Sequence, residues 1–221
     1  MEKLFRQIVR YVSLISILVF VASCDKNEDE RKERESTEYA EHCIRYYVVP
    51  DTLELSEYWQ YNSEPGIVLE INGTHIEERS NKEEYEALTK KYGDVGYNYY
   101  RAIGADGAIS VAIDSISVIS DTDVDESHPK GTELSDIVKL YTRNYYDYIK
   151  NGYTEEGGRR SEKDKFISEY TKEDFTLLYN KHGLGFHFDS TKVIKGTQNL
   201  TITIYFEDGS NLSTIQTVNF D

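Results

Sequence analysis

LTITIYFEDGSNLSTIQTVNF, residues 200–220, decides the fold. Leu200, Ile202, Ile204 and Phe206 alternate with polar residues, the period of a strand with one buried face. Asp208-Gly209 then turns the chain, and Leu212, Val218 and Phe220 return with matching parity. Just upstream, Leu184, Phe186 and Phe188 alternate in the same way. A chain that ends in this manner is built on sheets.

Working outward, residues 134–153 carry both periods. Leu134, Ile137, Val138, Tyr141, Tyr145 and Tyr148 have helical spacing, yet Ile137 to Thr142 is rich in β-formers. The reading is a strand first and a short helix over Tyr145 to Lys150. Asp121 to Thr132 is a polar loop, and Glu155 to Lys165, with Gly157-Gly158, reads as another. Two helices are expected from capping boxes. One runs from Ser80, with Glu83 three residues on, to Tyr92 and the stop at Gly93. The other runs from Thr171, with Asp174, to Lys181 and Gly183.

Ile44 to Val49 reads as a strand halted by Pro50. Asn72-Gly73 between β-prone runs reads as a hairpin turn, since both turn positions need φ > 0. Tyr97–Ile103 and Ala108–Ile119 flank Gly104-Ala105-Asp106-Gly107, another hairpin candidate. Ile109, Val111 and Ile113 have opposite parity to Ile116 and Val118, and a bulge near Asp114-Ser115 reconciles them. The expectation is a mainly β fold: an immunoglobulin-like β-sandwich with two or three short helices. It follows a signal segment and a flexible tether.

The signal is MEKLFRQIVRYVSLISILVFVASC, residues 1–24. Lys3, Arg6 and Arg10 form a basic head, and Tyr11 to Ala22 is apolar with small hydroxyls at Ser13 and Ser16. Val21-Ala22-Ser23-Cys24 closes it with small residues. A membrane span needs about 20 apolar residues, and the acids after Cys24 stop the run. The end of the segment resembles the lipobox of bacterial lipoproteins. That resemblance implies removal of residues 1–23 and lipidation of Cys24. Residues 24–41 then form an acidic flexible tether with little to bury, and 42–221 a single β-rich domain. The run Asp25-Lys26-Asn27-Glu28-Asp29-Glu30 also resembles the export signal of Bacteroidota surface lipoproteins.

Charge excludes some partners. The net charge of the 221-residue chain is −15, so it repels phosphate backbones, and no nucleic acid is expected. Membrane attachment must come through the N-terminal lipid, because an anionic surface repels the chain too. With Cys24 acylated, Cys43 is the remaining thiol, and it reads as a small buried hydrophobe beside Ile44.

Chemistry is sparse. There is no HExxH, GxSxG, P-loop or GxGxxG, so no catalytic residue and no cofactor is assigned. Asp121, Asp123 and Asp125 alternate like a calcium loop. Glu126 and Thr132 stand where that loop needs Gly and a bidentate Glu. A solvated acidic loop is the better reading, with a weak calcium site as the alternative. His42, His75, His128, His182 and His187 show no ligand spacing. Nineteen tyrosines cluster in several places. Most read as sheet-filling residues. Tyr58, Trp59 and Tyr61 are the exception, because they fall in an apparent loop before Pro65. They are the candidate contact for a ligand or partner.

The chain as a whole resembles small Bacteroidota lipoproteins assigned to domain-of-unknown-function families. The signal, the acidic tether, the segment Asp147-Tyr148-Ile149-Lys150-Asn151-Gly152-Tyr153 and the final β-hairpin carry the likeness. It implies a lipid-anchored outer-membrane protein, on the cell-surface side by the acidic run, and no established activity. The expected function is a non-catalytic binding or assembly module for a glycan or an outer-membrane protein partner. The alternative is a surface glycan hydrolase with a carboxylate pair assembled from distant loops.

Overall fold

The structure is a computed structural model, and it describes residues 38–61, 64–101, 107–154, 159–181, 183–188 and 194–220. The signal segment, Cys24 and the tether up to residue 37 lie outside the described residues. A two-stranded antiparallel ribbon, β1 (Glu38–Ala40) with β4 (Tyr99–Arg101), forms a unit of its own. The main body comprises Glu41–Asn98 and Ala105–Asp221.

The main body is mainly β. Its strands are β2 (Tyr46–Tyr61), β3 (Glu64–Glu77), β5 (Gly107–Ile109), β6 (Ile113–Ser120) and β7 (Val138–Asn144). They continue with β8 (Ser161–Phe166), β9 (Leu184–Phe188), β10 (Thr197–Phe206) and β11 (Asn211–Asn219). A six-stranded sheet has the order β5-β2-β3-β9-β7-β8, and a three-stranded sheet the order β11-β10-β6. Ile67, Leu69, Leu140 and Phe186 from the first sheet share one apolar cluster with Ile116, Val118, Leu200, Ile202 and Ile204 from the second. Each such side chain, fully buried, contributes about 1.5–3 kcal/mol. The sheets therefore close on a common core, as the alternation of residues 200–220 requires.

The β10–β11 hairpin forms around Gly209, whose φ is 85°. The bulge is present where parity demanded it. Tyr205 pairs with Ser115 but Phe206 with Ile113, leaving Asp114 as the extra residue. Residues 138–150 resolve into β7 followed by helix α2 (Tyr146–Lys150).

Other elements depart from the sequence reading, each for a physical reason. Helix α1 is Lys82–Tyr92 with Asn81 at the N-cap and no side-chain capping bond, because the Ser80 hydroxyl turns to the Asn81 side chain instead. Gly93 does close it, at φ 73°. Asn72-Gly73 is no turn. Neither residue has positive φ, and β3 runs straight through them. Gly73 pairs with Pro50 beside a bulge in β2, where a Cβ would stand 1.8 Å from the Val49 carbonyl oxygen. Glycine is there for close backbone approach. Pro50 likewise sits inside β2 at that irregularity and ends nothing.

Tyr97–Ile119 is not a hairpin. β5 pairs parallel with β2, and β4 belongs to the ribbon. Residues 161–166, read as loop, form edge strand β8, whose sequence SEKDKF hides its period because both faces are polar. Residues 171–181 form turns rather than a helix. The Thr171–Asp174 box does form, with the Thr171 N–H and hydroxyl each donating to Asp174 Oδ2 at 2.8 Å. Leu177 then takes φ 54°, and Leu178 and Tyr179 bridge to Asn144 and Ala108. Sheet pairing overrides the local helix signal. Among the described residues, no helix is long and apolar enough to cross a membrane.

Candidate functional site

Alternation in β7 buries Val138, Leu140, Thr142 and Asn144 and leaves Lys139, Tyr141 and Arg143 half-buried on the opposite face. The ladders carry that face across the sheet. Gly66 of β3 stands opposite His187 of β9, His187 opposite Lys139, and Lys139 opposite Phe166 of β8. Position 59 of β2 is in register with Gly66. The next row runs Val68, Gly185, Tyr141, Asp164. Two glycines in adjacent central strands remove side-chain height from the middle of the face.

The groups on this face are tied together. His187, 1% exposed, meets Asp164 with Nε2 2.6 Å from Oδ1. The Arg143 guanidinium donates to the Tyr141 hydroxyl at 2.8 Å and pairs with Glu162 at 3.0 Å. Burial raises the Tyr141 hydroxyl above its ordinary pKa despite Arg143 beside it. Lys139 Nζ lies 5.5 Å from the centre of the Phe166 ring. On the other face of β8, Lys163 and Lys165 hold Asp147 at 3.0 Å and Asp174 at 2.7 Å. Burial alone would raise Asp174, but Lys165 and the Thr171 donors hold it at about 2.

The sequence candidates are redistributed. Residues 58–61 belong to strand β2, not a loop, because they pair with Ile67 to Glu64. Tyr58 is 65% exposed and its hydroxyl reaches the Thr217 carbonyl at 3.5 Å. It stands opposite core residue Ile67 and so is not on the His187 face. The side chains of Trp59 and Tyr61 lie outside the described residues. Cys43 is buried, as read.

Asp121, Asp123 and Asp125 are not brought together on one cation. Asp121 accepts from Asn199, Asp123 from the Lys130 N–H, and Asp125 from the Ser127 and His128 N–H groups. Among the described residues no group of three His, Cys, Asp or Glu side chains could hold a metal.

That loop instead carries a histidine clamp. His128 sits between Asp125, 2.8 Å from Nδ1, and Asp136, 3.1 Å from Nε2. Burial opposes its charge, but the two carboxylates outweigh burial and raise it above its ordinary 6.5. A histidine raised in the fold contributes stability below its unfolded pKa and loses it as pH rises through the folded value. The protection factors of the Val124 and Gly131 amides, corrected for base-catalysed intrinsic exchange, are therefore expected to fall between mildly acidic and alkaline pH. His128→Ala should flatten that dependence. An NMR titration placing His128 at or below 6.5 would contradict the clamp.

Lys139, Arg143 and Asp164 were not singled out by sequence reasoning. Their β7–β8 pairing is local, but its meeting with β9 and β3 is not, and no motif spacing marks it. Comparison of the chain with family models, with curated proteins and with solved structures finds no match in any of the three. Function rests on the geometry: a sheet face with aromatic rings, fixed donors and acceptors, and paired charges.

Proposed function

We propose that this chain is a lipid-anchored binding module of the outer membrane that presents the Lys139–Tyr141–Arg143 face of its six-stranded sheet to a glycan. The observation that carries the reading is the row of position 59, Gly66, His187, Lys139 and Phe166 across neighbouring strands. Saccharides are bound by apolar ring faces beside oriented hydrogen-bonding groups. Arg143 with Tyr141, and Asp164 held by the buried His187, supply the oriented groups. The anchor follows from the basic head, apolar run and lipobox-like end at Cys24. More than one acyl chain makes such an anchor stable.

A non-catalytic role is favoured over glycan hydrolysis. A hydrolase needs one carboxyl held protonated beside an ionised partner. On this face Glu162 is paired with Arg143 and Asp164 with His187.

Trp59 is the one tryptophan, and its backbone is in register with Gly66 of this row. Titration with a panel of neutral and acidic oligosaccharides is expected to shift its emission saturably. Arg143→Ala should weaken binding about 10- to 100-fold, the range of a charged hydrogen bond. New reducing ends during the titration would establish the hydrolase instead. No response to any glycan, with capture of an outer-membrane protein by the same face, would move the reading to a protein partner. Cys24→Ser is expected to release the protein from membranes, and an unmodified full-length N-terminus by intact mass would remove the anchor.

A further inference from the structure

We propose that the loop between β6 and β7 is a latch worked by one proton. With His128 charged, the loop tip is fastened to Asp136; with His128 neutral, that fastening is released and the tip opens from the edge of β6. The latch belongs to the second sheet and does not depend on the glycan reading.

The two contacts of the ring require a charge. Asp125 Oδ1 lies 2.8 Å from Nδ1, and Asp136 Oδ1 and Oδ2 lie 3.1 and 3.3 Å from Nε2. An ionised carboxylate only accepts, and a neutral imidazole donates from one nitrogen and presents a lone pair at the other. Both contacts are hydrogen bonds only when both nitrogens carry a proton. Removing one proton turns one contact into a lone pair facing an anion.

The neighbouring bonds decide which contact fails. Asp125 is fixed independently of the ring, because the same Oδ1 accepts the backbone N–H groups of Ser127 and His128 at 2.7 and 2.8 Å. Asp125 and His128 also share one tight turn, in which the Val124 N–H donates to the His128 carbonyl at 2.9 Å. Asp136 lies outside that turn. Its side chain is 60% exposed, and His128 is its one side-chain partner among the described residues. Nothing holds it against a lone pair. The neutral ring keeps its proton on Nδ1, facing Asp125, and Asp136 turns to water.

The other charged groups of the loop are engaged elsewhere or exposed. Asp123 accepts the Lys130 N–H at 2.7 Å, and Asp121 accepts from Asn199 of β10. Glu133 accepts the Ser117 hydroxyl and the Val118 N–H of β6. Glu126 and Lys130 are exposed. Burial opposes the charge of His128, but Asp125 and Asp136 outweigh it and raise the ring above its ordinary value. The latch is therefore shut in mildly acidic solution and opens as pH rises through the folded value.

The opening is confined to the tip. Leu134 is 1% exposed, and its N–H donates to the Val118 carbonyl at 2.9 Å, so the base of the loop stays on β6. The tip, residues 123–131, meets the body through the partly buried Val124 and through the Gly131 N–H on the Ser120 carbonyl at 3.0 Å. Once Asp136 lets go, that last bond opens, and the Ser120 carbonyl on the edge of β6 becomes accessible.

NMR of the His128 ring nitrogens in the full chain, in mild detergent, reads charge and tautomer. Hydrogen exchange, corrected for the intrinsic rate, reads the opening. Both ring nitrogens should carry protons in mildly acidic solution, and Nδ1 alone in alkaline solution. Across the same titration the protection factor of the Gly131 N–H should fall at least about tenfold, while that of Leu134 holds. Asp136→Asn separates the latch from a general loosening. Its amide can donate to the Nε2 lone pair of the neutral ring, so Gly131 should stay protected in alkaline solution. His128→Ala should leave Gly131 weakly protected at every pH. A neutral ring protonated on Nε2 overturns the proposal, because Asp125 is then the contact released. So does Gly131 protection that ignores the His128 titration, or an Asp136→Asn chain that loses it as the parent does.

Discussion

Asp94→Ala is expected to lower stability by about 2–6 kcal/mol, the sum for the two buried backbone donors left without acceptors. Asp94 is fully buried just after helix α1. Its Oδ1 accepts the Cys43 N–H at 2.8 Å and the Tyr153 hydroxyl at 3.0 Å, and its Oδ2 accepts the Ile44 N–H at 2.9 Å. His42 Nδ1 lies 2.5 Å from the Asp94 carbonyl oxygen. One carboxylate therefore ties three stretches far apart in sequence: the segment leading into β2, the end of α1 and the turn after α2. Urea unfolding of Asp94→Ala against the parent measures the loss, and a change under about 1 kcal/mol would show that water replaces the carboxylate.

The pH response has a definite sign. Burial raises Asp94 above the ordinary carboxyl value, and the donors from Ile44, Cys43 and Tyr153, with His42, offset only part of this. A carboxyl raised in the fold gains relative stability as pH falls. Asp174 has the opposite sign. Held at about 2, it contributes stability above the unfolded value, and that contribution is lost as pH falls through about 2. Tyr153→Phe is the milder companion to Asp94→Ala, removing one donor and leaving both backbone partners in place.

Phe186→Ala is expected to cost about 3–5 kcal/mol, as for other buried aromatic truncations. All five residues of β9 are buried. Phe186 itself has no exposure and stands between Ile67 of β3 and Leu140 of β7. β9 is the strand that joins the β2–β3 hairpin to the β7–β8 hairpin. A cavity there loosens the junction of two halves, not the interior of one. Melting of Phe186→Ala should remain a single transition at lower temperature. Two separate transitions would show that the hairpins fold independently and that β9 does not couple them.

The difference between these two sites shows what a linear reading can reach. Phe186 is legible, because its alternation with Leu184 and Phe188 needs only neighbours two residues away. Asp94 is not. It follows a helix-stopping glycine and looks like any solvated acid until the chain folds back over it. The same contrast runs through the sheet. The Asp114 bulge could be read from parity, since a slip of one residue would turn Ile116 and Val118 out of the core. Asn72-Gly73 could not, because the dipeptide suits both a turn and a close approach. Only the opposing Val49 carbonyl decides between them. Residues 171–181 carry a real capping box, and the box forms. The helix does not follow, since the bridges of Leu178 and Tyr179 to distant strands outweigh a local preference.

The sequence by itself determined the mainly β class, the terminal hairpin, the β7–α2 succession and the closing glycine of α1. Each rests on interactions within a few residues, which period and turn chemistry record directly. Tertiary structure alone decided the strand order, the parallel seating of β5, the bond between His187 and Asp164 and the burial of Asp94. These depend on pairings between segments up to 121 residues apart, Gly66 with His187. Their stabilisation is burial and hydrogen bonding gained on closure of the whole chain, and no local spacing carries a trace of it.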